Sequence, residues 1–269
     1  MAQRPKLCPR CRQLIGSEEA VCSWCGTARS APWWQFVNWS RGAMGGDWLL
    51  SALITVNVVY FAQSLLLGIT TGSGSLFSPG QTSLFLLGAT GTYPINHFGR
   101  LWSLLSANYL HGGLIHLIFN LMALRQILPM TSNEYGPSRM FTIYTLGGVG
   151  GFCLSYMAGV PFTIGASAAI CSLIGAMLYY GKSRGGAYGN AIYRDVGGWV
   201  ISLFVFGLIV PGINNWGHGG GIISGIVLGM VLGYNDDRRE NAFHRGLALL
   251  CAAVTVGVLV WATFTAFVH

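Results

Sequence analysis

Charge is what this chain lacks most. Only 9% of its 269 residues are Asp, Glu, Lys or Arg, against roughly 25% in an ordinary soluble domain. So few charges cannot cover a water-facing surface, and 52% of the residues are hydrophobic. The composition therefore excludes a soluble globule and points to a membrane protein. Acids are scarcer still, eight against fifteen Lys and Arg, for a formal net charge of +7. That excess is spread over loops between apolar segments, where it records topology before it signals nucleic acid. An apolar leader is missing too. The first 31 residues are polar and cysteine-bearing, so no cleavable signal peptide is expected.

Four of the seven cysteines fall in those first residues as Cys8-x-x-Cys11 and Cys22-x-x-Cys25, ten residues apart. Tetrahedral zinc takes four thiolates about 2.3 Å from the metal, and two such turns supply two each. The spacing predicts a small structural zinc ribbon over 1–31, with Cys8, Cys11, Cys22 and Cys25 as ligands. Iron or a redox role is the main alternative, and two disulfides are disfavoured because the topology derived below leaves this end in the reducing cytosol. The ribbon's own partner is not specified by its residues. Arg4, Lys6, Arg10, Arg12 and Arg29 suit anionic lipid as well as a cytoplasmic macromolecule. Residues 32–47 follow as an aromatic juxtamembrane linker, with Trp33, Trp34 and Trp39 suited to the headgroup region. Cys153, Cys171 and Cys251 lie in apolar segments, where a small buried hydrophobe is expected.

Seven apolar segments run over 48–69, 114–128, 138–160, 167–181, 197–213, 217–234 and 247–268. They predict an all-α polytopic membrane protein, although several are short of the ~20 residues that cross a bilayer core. The stretch 70–113 is too long for a plain connection and reads as an interfacial loop in the outer leaflet. With the N-terminus inside, fourteen of the fifteen Lys and Arg residues lie on the cytoplasmic side and only Arg100 lies outside. The positive-inside rule fixes that orientation.

Three polar features then reach the outer half of the membrane together. The second segment opens with His111, His116 and Asn120, the last two sharing a helix face. The fourth opens with Gly165-Ala166-Ser167, and the sixth with Gly217-His218. Glycines at 217, 221, 225 and 229, with Gly175 opposite, allow the fourth and sixth helices to approach closely. That approach makes His218 a general base for Ser167. All eight acids lie on the cytoplasmic side, so neither a Ser–His–Asp triad nor a metalloprotease glutamate can be built. A Ser167–His218 dyad survives, with His116, Asn120 and the Ser167 amide as oxyanion donors. Catalysis needs no cofactor in this reading. The descent of 160–165 as non-helical backbone also asks for a water-filled cavity above Ser167.

In this order, His111-x4-His116-x3-Asn120, Gly165-x-Ser167 and His218-x2-Gly221-x3-Gly225 resemble the three signatures of the rhomboid family of intramembrane serine proteases. The resemblance covers 48–234 and implies a six-helix core, with 247–268 as the seventh helix that some members append. The whole membrane domain is then 48–269. The resemblance further implies an endopeptidase acting on single-span membrane proteins, from a multi-pass position in the cell membrane, with its active site opening to the extracytoplasmic side. Three positions depart from the pattern. Ala168 replaces the usual glycine. Cys171 stands where an aromatic often supports the catalytic ring. Trp102 is followed by Ser103 rather than arginine.

The competing class is a catalytically weak or inactive rhomboid-like membrane chaperone or binding protein, which has no chemical need for both Ser167 and His218. A transporter is disfavoured because no intramembrane acid or paired base is available to carry charge. For the N-terminal segment the expected outcome is about one zinc per chain by atomic absorption, lost when Cys8 and Cys11 are both changed to Ser.

Overall fold

The computed structural model describes residues 6–7, 14–15, 19, 21–23 and 48–268. The chain divides into two compact units, Met1–Ser51 and Ala52–His269. In the first, strands β1 (Lys6–Leu7) and β2 (Leu14–Ile15) pair antiparallel, Lys6 opposite Ile15 and Leu7 opposite Leu14. In sequence this ladder brackets Cys8 and Cys11. Of the four cysteines expected to bind zinc, Cys22 is buried, while Cys8, Cys11 and Cys25 lie outside the described residues, as does the whole 32–47 linker. Among the described residues no three His, Cys, Asp or Glu side chains gather as a metal site.

The second unit is helical. Its long helices are α1 (Trp48–Thr70), α5 (Leu114–Tyr135), α6 (Pro137–Met157), α7 (Ser167–Arg184), α8 (Gly186–Ile209), α9 (Asn215–Leu232) and α10 (Ala242–Val268). All seven predicted apolar segments are helices, with boundaries that differ from the expectation. Helix α5 runs on to Tyr135 through Pro129, as helices packed in a membrane bundle can. Helix α8 begins at Gly186 rather than 197, and the appended helix begins at Ala242 rather than 247. The long 70–113 connection is itself folded, into α2 (Gln81–Leu86), α3 (Thr92–Phe98), α4 (Ser103–Ser106) and a 3-10 turn at Ala107–Tyr109.

Five of the long helices (α1, α5, α6, α8 and α10) are long and apolar enough to cross a membrane. The other two, α7 and α9, are eighteen residues each; α7 is enclosed by the bundle, while α9 buries its glycine face and exposes Trp216, Ile223, Val227, Met230 and Val231. Most of α7 is buried, including Ala168, Ala169, Ser172, Gly175 and Ala176. Burial in protein lets α7 be poorer in apolar side chains than its lipid-facing neighbours. By contrast, α8 exposes Ile201, Phe204, Val205, Leu208 and Ile209, as a lipid-facing surface requires.

Helices α7 and α9 meet backbone to backbone. A methyl group on Gly221 would strike the Ala168 carbonyl, one on Gly225 the Ser172 carbonyl, and one on Gly175 the Ile222 carbonyl. At Gly229 the nearest atoms of α7 are those of Ala176. The contacts step by four on both helices, as a shared helical face demands. Helix α6 closes the junction with its own glycines. Gly151 lies against the Gly217 carbonyl, the Ala168 side chain and the Gly221 amide, and Gly147 against Ser172.

The end of the bundle opposite Ser167 is tied by one cation. Arg139 is fully buried. Its guanidinium donates to the carbonyls of Tyr135, Leu232 (3.4 Å), Gly233 (2.9 Å) and Arg238 (2.7 Å), and to Asn235 Oδ1 (2.6 Å). The Glu240 carboxylate accepts from the Ser138 and Arg139 amides at 2.8 and 3.0 Å, capping the first turn of α6. A residue that reads in sequence as a topology-setting charge is thus the anchor of the end of α9.

Two glycine substitutions separate close approach from mere helix propensity. Gly225→Ala is expected to lower stability by roughly 1–3 kcal/mol through overpacking. Gly219→Ala, with open space around it, is expected to be neutral or to gain up to about 1 kcal/mol. Thermal unfolding of both variants in detergent checks the contrast.

Candidate active site

Ser167 is the first residue of α7, and the segment that delivers it is extended rather than helical. That backbone is satisfied by the folded 70–113 connection. Thr90 and Thr163 exchange amide-to-carbonyl bonds of 3.1 and 2.7 Å, Thr92 N donates to Val160 O at 2.9 Å, and Tyr93 N donates to Pro161 O at 3.1 Å. Closer to the serine, Gly165 N donates to Ala107 O at 2.9 Å. Non-helical backbone at this depth survives only when it is paired inside protein, and this pairing is one task of the long connection.

His218 lies in the first turn of α9 and is buried. Its Nε2 is 2.9 Å from Ser167 Oγ. The two residues singled out from sequence are therefore in hydrogen-bond contact, through the helix approach that the glycines permit. With Nε2 accepting the hydroxyl proton, the neutral ring carries its own proton on Nδ1, which is buried with no hydrogen-bond partner among the described residues. The carboxylates of Glu134, Asp236 and Glu240 are engaged in the network at the other end of the bundle.

His116 sits beside the same point. Its Nδ1 accepts from Gly112 N at 3.3 Å, so in the neutral ring the proton is on Nε2. A Cβ placed on Gly165 would lie 3.0 Å from that Nε2 and 3.5 Å from Ser167 Oγ. The N–H donor and the hydroxyl thus flank one position. Gly165 also has φ +129°, a conformation that a side chain disfavours. Asn120 is buried one turn further along α5, and its amide donates to His116 O at 2.9 Å. It supports the turn that carries His116 and has no described bond to Ser167. His111 is fully buried with its ring against that of His116, centroids 5.2 Å apart. The first residue of a helix has no intrahelical acceptor for its N–H, which leaves the Ser167 amide as a second donor at the same place.

Other parts of the site were not visible in the sequence reading. Asn214 caps α9. Its Oδ1 accepts from Gly217 N at 3.0 Å, and its Nδ2 donates to Ser155 Oγ at 2.6 Å and Thr163 Oγ1 at 2.9 Å. An Asn immediately before a helix is a recognised capping signal, but its reach to two other segments is a tertiary fact. Cys171 is buried and packs beside Gly221, one turn along α9 from His218. Where an arginine was expected after Trp102, Ser103 Oγ donates to Thr90 Oγ1 at 2.9 Å. The connection is anchored instead by Arg100, which stacks 4.1 Å over Phe85 and donates to its carbonyl at 2.6 Å. An open, largely apolar cavity of about 420 Å³ is lined by Gln81, Thr82, Phe85, Tyr93, Pro161 and Phe162. It adjoins the segment leading to Ser167 but does not include Ser167 or His218.

Residues 99–235 match the family model described as the Rhomboid domain, and Ser167, His218, His116 and Asn120 all fall within that match. The chain belongs to the rhomboid family. With its apolar helices, membership makes it an integral, multi-pass membrane protein. It is 32% identical over 164 residues to "RHOMBOID-like protein 4" of Arabidopsis thaliana, covering 60% of this chain and 42% of the relative. Against "Rhomboid protease GluP" of Bacillus subtilis (strain 168) it is 34% identical over 163 residues, covering 60% and 32%. Against "Inactive RHOMBOID-like protein 8" of Arabidopsis thaliana it is 29% identical over 214 residues, covering 69% and 59%. The chain spans about a third to three fifths of the length of these relatives.

The local geometry generates its own test. Gly165→Ala is expected to cost roughly 1–3 kcal/mol in backbone strain and to displace the His116 ring. The readout is a fall in the rate at which a fluorophosphonate labels Ser167.

Proposed function

We propose that this rhomboid is an intramembrane serine endopeptidase that hydrolyses peptide bonds in or beside the transmembrane segments of single-span membrane proteins. The observation that carries the reading is the 2.9 Å contact between Ser167 Oγ and His218 Nε2, made by side chains on two closely packed helices. As the hydroxyl attacks the scissile carbonyl, its proton passes to His218 Nε2. The carbonyl oxygen gains the negative charge and is met by the His116 Nε2–H and the Ser167 N–H, with Asn120 steadying the His116 turn. His218 then gives its proton to the departing amine, and a water repeats the sequence in reverse to release the acyl group. The imidazolium formed midway has no carboxylate partner. Its stability rests on pre-set geometry and on the oxyanion donors, which places a premium on how rigidly His218 is held.

In this reading the N-terminus is cytoplasmic, in agreement with the basic residues at that side, and the site opens to the extracytoplasmic face of the cell membrane. The N-terminal segment is a structural zinc ribbon held by Cys8, Cys11, Cys22 and Cys25. Its spacing supports this, as does the β1–β2 ladder around the first pair. The metal takes no part in the cleavage, and the ribbon docks a cytoplasmic partner. The alternative is a non-cleaving binding protein. One relative is called inactive and Cys171 departs from the family pattern, yet that reading leaves the Ser167–His218 contact without a purpose.

Purified protein in liposomes is expected to cleave a single-span reporter, with Ser167→Ala and His218→Ala each lowering the rate to background. Equal cleavage by Ser167→Ala would remove the nucleophile assignment.

A further inference from the structure

Resting on the protease reading, we infer that Asn214 is a positioning residue that sets the distance between nucleophile and base. Its three side-chain bonds go to three different segments. Oδ1 takes the Gly217 amide in the first turn of α9, one residue before His218. Nδ2 gives one proton to Thr163, four residues before Ser167, and the other to Ser155 near the end of α6. The Asn214 carbonyl also accepts from His218 N at 3.1 Å. A single amide thus joins the helix that carries the base, the strand-like segment that carries the nucleophile and the helix packed against both.

An ordinary cap would account for only one of these bonds. Ser, Thr, Asp and Asn all accept from an N-terminal amide, but only an amide side chain also donates two protons in a fixed plane. The clamp continues outward, because Thr163 is paired through its backbone with Thr90, whose hydroxyl accepts from Ser103. The segment before Ser167 is therefore gripped from both sides, by Asn214 on one and by the Thr90 bridge on the other.

The role matters because His218 has no orienting acid. In a triad the third residue holds the imidazole. Here Nδ1 has no hydrogen-bond partner among the described residues, so the ring is aimed through the placement of its backbone. Asn214 supplies that placement at the end of α9 where the glycine contacts with α7 have not yet begun. Its function is to hold Nε2 at bonding distance from Oγ, and it touches no reacting atom.

The experiment compares Asn214→Ser, Asn214→Asp and Thr163→Val with wild type in liposomes. It reads kcat and KM on a single-span reporter, the rate of fluorophosphonate labelling of Ser167, and Tm. Asn214→Ser keeps a cap acceptor and loses the bridge. It is expected to lower kcat and the labelling rate together, on the order of 100-fold as for a misplacement of about 1 Å, with KM and Tm near wild type. Asn214→Asp, to which the Ser155 and Thr163 hydroxyls can turn and donate, is expected to recover most of that loss. Thr163→Val is expected to reproduce part of the loss, less than additively with Asn214→Ser. An Asn214→Ser variant with wild-type kcat and labelling overturns the proposal. So does a rate loss matched by a fallen Tm and not recovered by Asn214→Asp. A wild-type protein that neither cleaves nor labels overturns the protease reading and this inference with it, which separates the two failures.

Discussion

Everything at the site depends on how closely α7 and α9 can approach. Lipid chains are as apolar as leucine, so a bilayer offers no hydrophobic drive to pull two helices together, and contact has to come from shape. Gly221, Gly225 and Gly175 remove side chains where the opposing carbonyls of Ala168, Ser172 and Ile222 lie. One methyl group at those positions would part the helices. The Ser167–His218 contact lies at one end of that seam, and two groups that meet from different helices tolerate little error in their separation.

The seam is fastened by polar side chains at both ends. At one, Arg139 gathers the last carbonyls of α9 and the turn beyond it; at the other, Asn214 ties the first turn to α6 and to the segment before Ser167. Charge is distributed accordingly. Within the helical unit the carboxylates of Glu134, Asp236 and Glu240 bond groups at the Arg139 end, and the Ser167 end is built from neutral donors and acceptors. A neutral site avoids the desolvation penalty a carboxylate would incur in the membrane, and it loses the orienting group a triad would have had. Rigid helix placement takes over that role.

Sequence patterns revealed what depends on local spacing. The four-residue steps of glycine in α9, the Gly165-x-Ser167 turn and the shared face of His116 and Asn120 are all readable from one segment at a time. Hydropathy located the spans but misjudged their ends, because a helix continues past the apolar zone. The apolar run of the second segment ends at 128 and that of the fifth begins at 197, whereas their helices run on to Tyr135 and start from Gly186. What stayed hidden was tertiary. Arg139 looked like one more cytoplasmic charge, the glycines of α6 had no evident partner, and Asn214 was an unremarked residue in a loop. None of these carries a repeat or a motif, and each acquires its meaning only from the segments folded around it. The 70–113 connection was recognised as too long to be a plain linker, but its helices are too short to announce themselves by period.

The modest hydropathy of α7 also bears on how the chain is made. A helix leaving the ribosome enters the bilayer according to its own apolar content, and α7 carries Ser172, Gly175 and Gly181 and ends in Lys182 and Arg184. It is flanked in sequence by α6 and α8, both long and apolar enough to cross a membrane. The helix that opens with Ser167 therefore depends on its neighbours for its place in the bilayer.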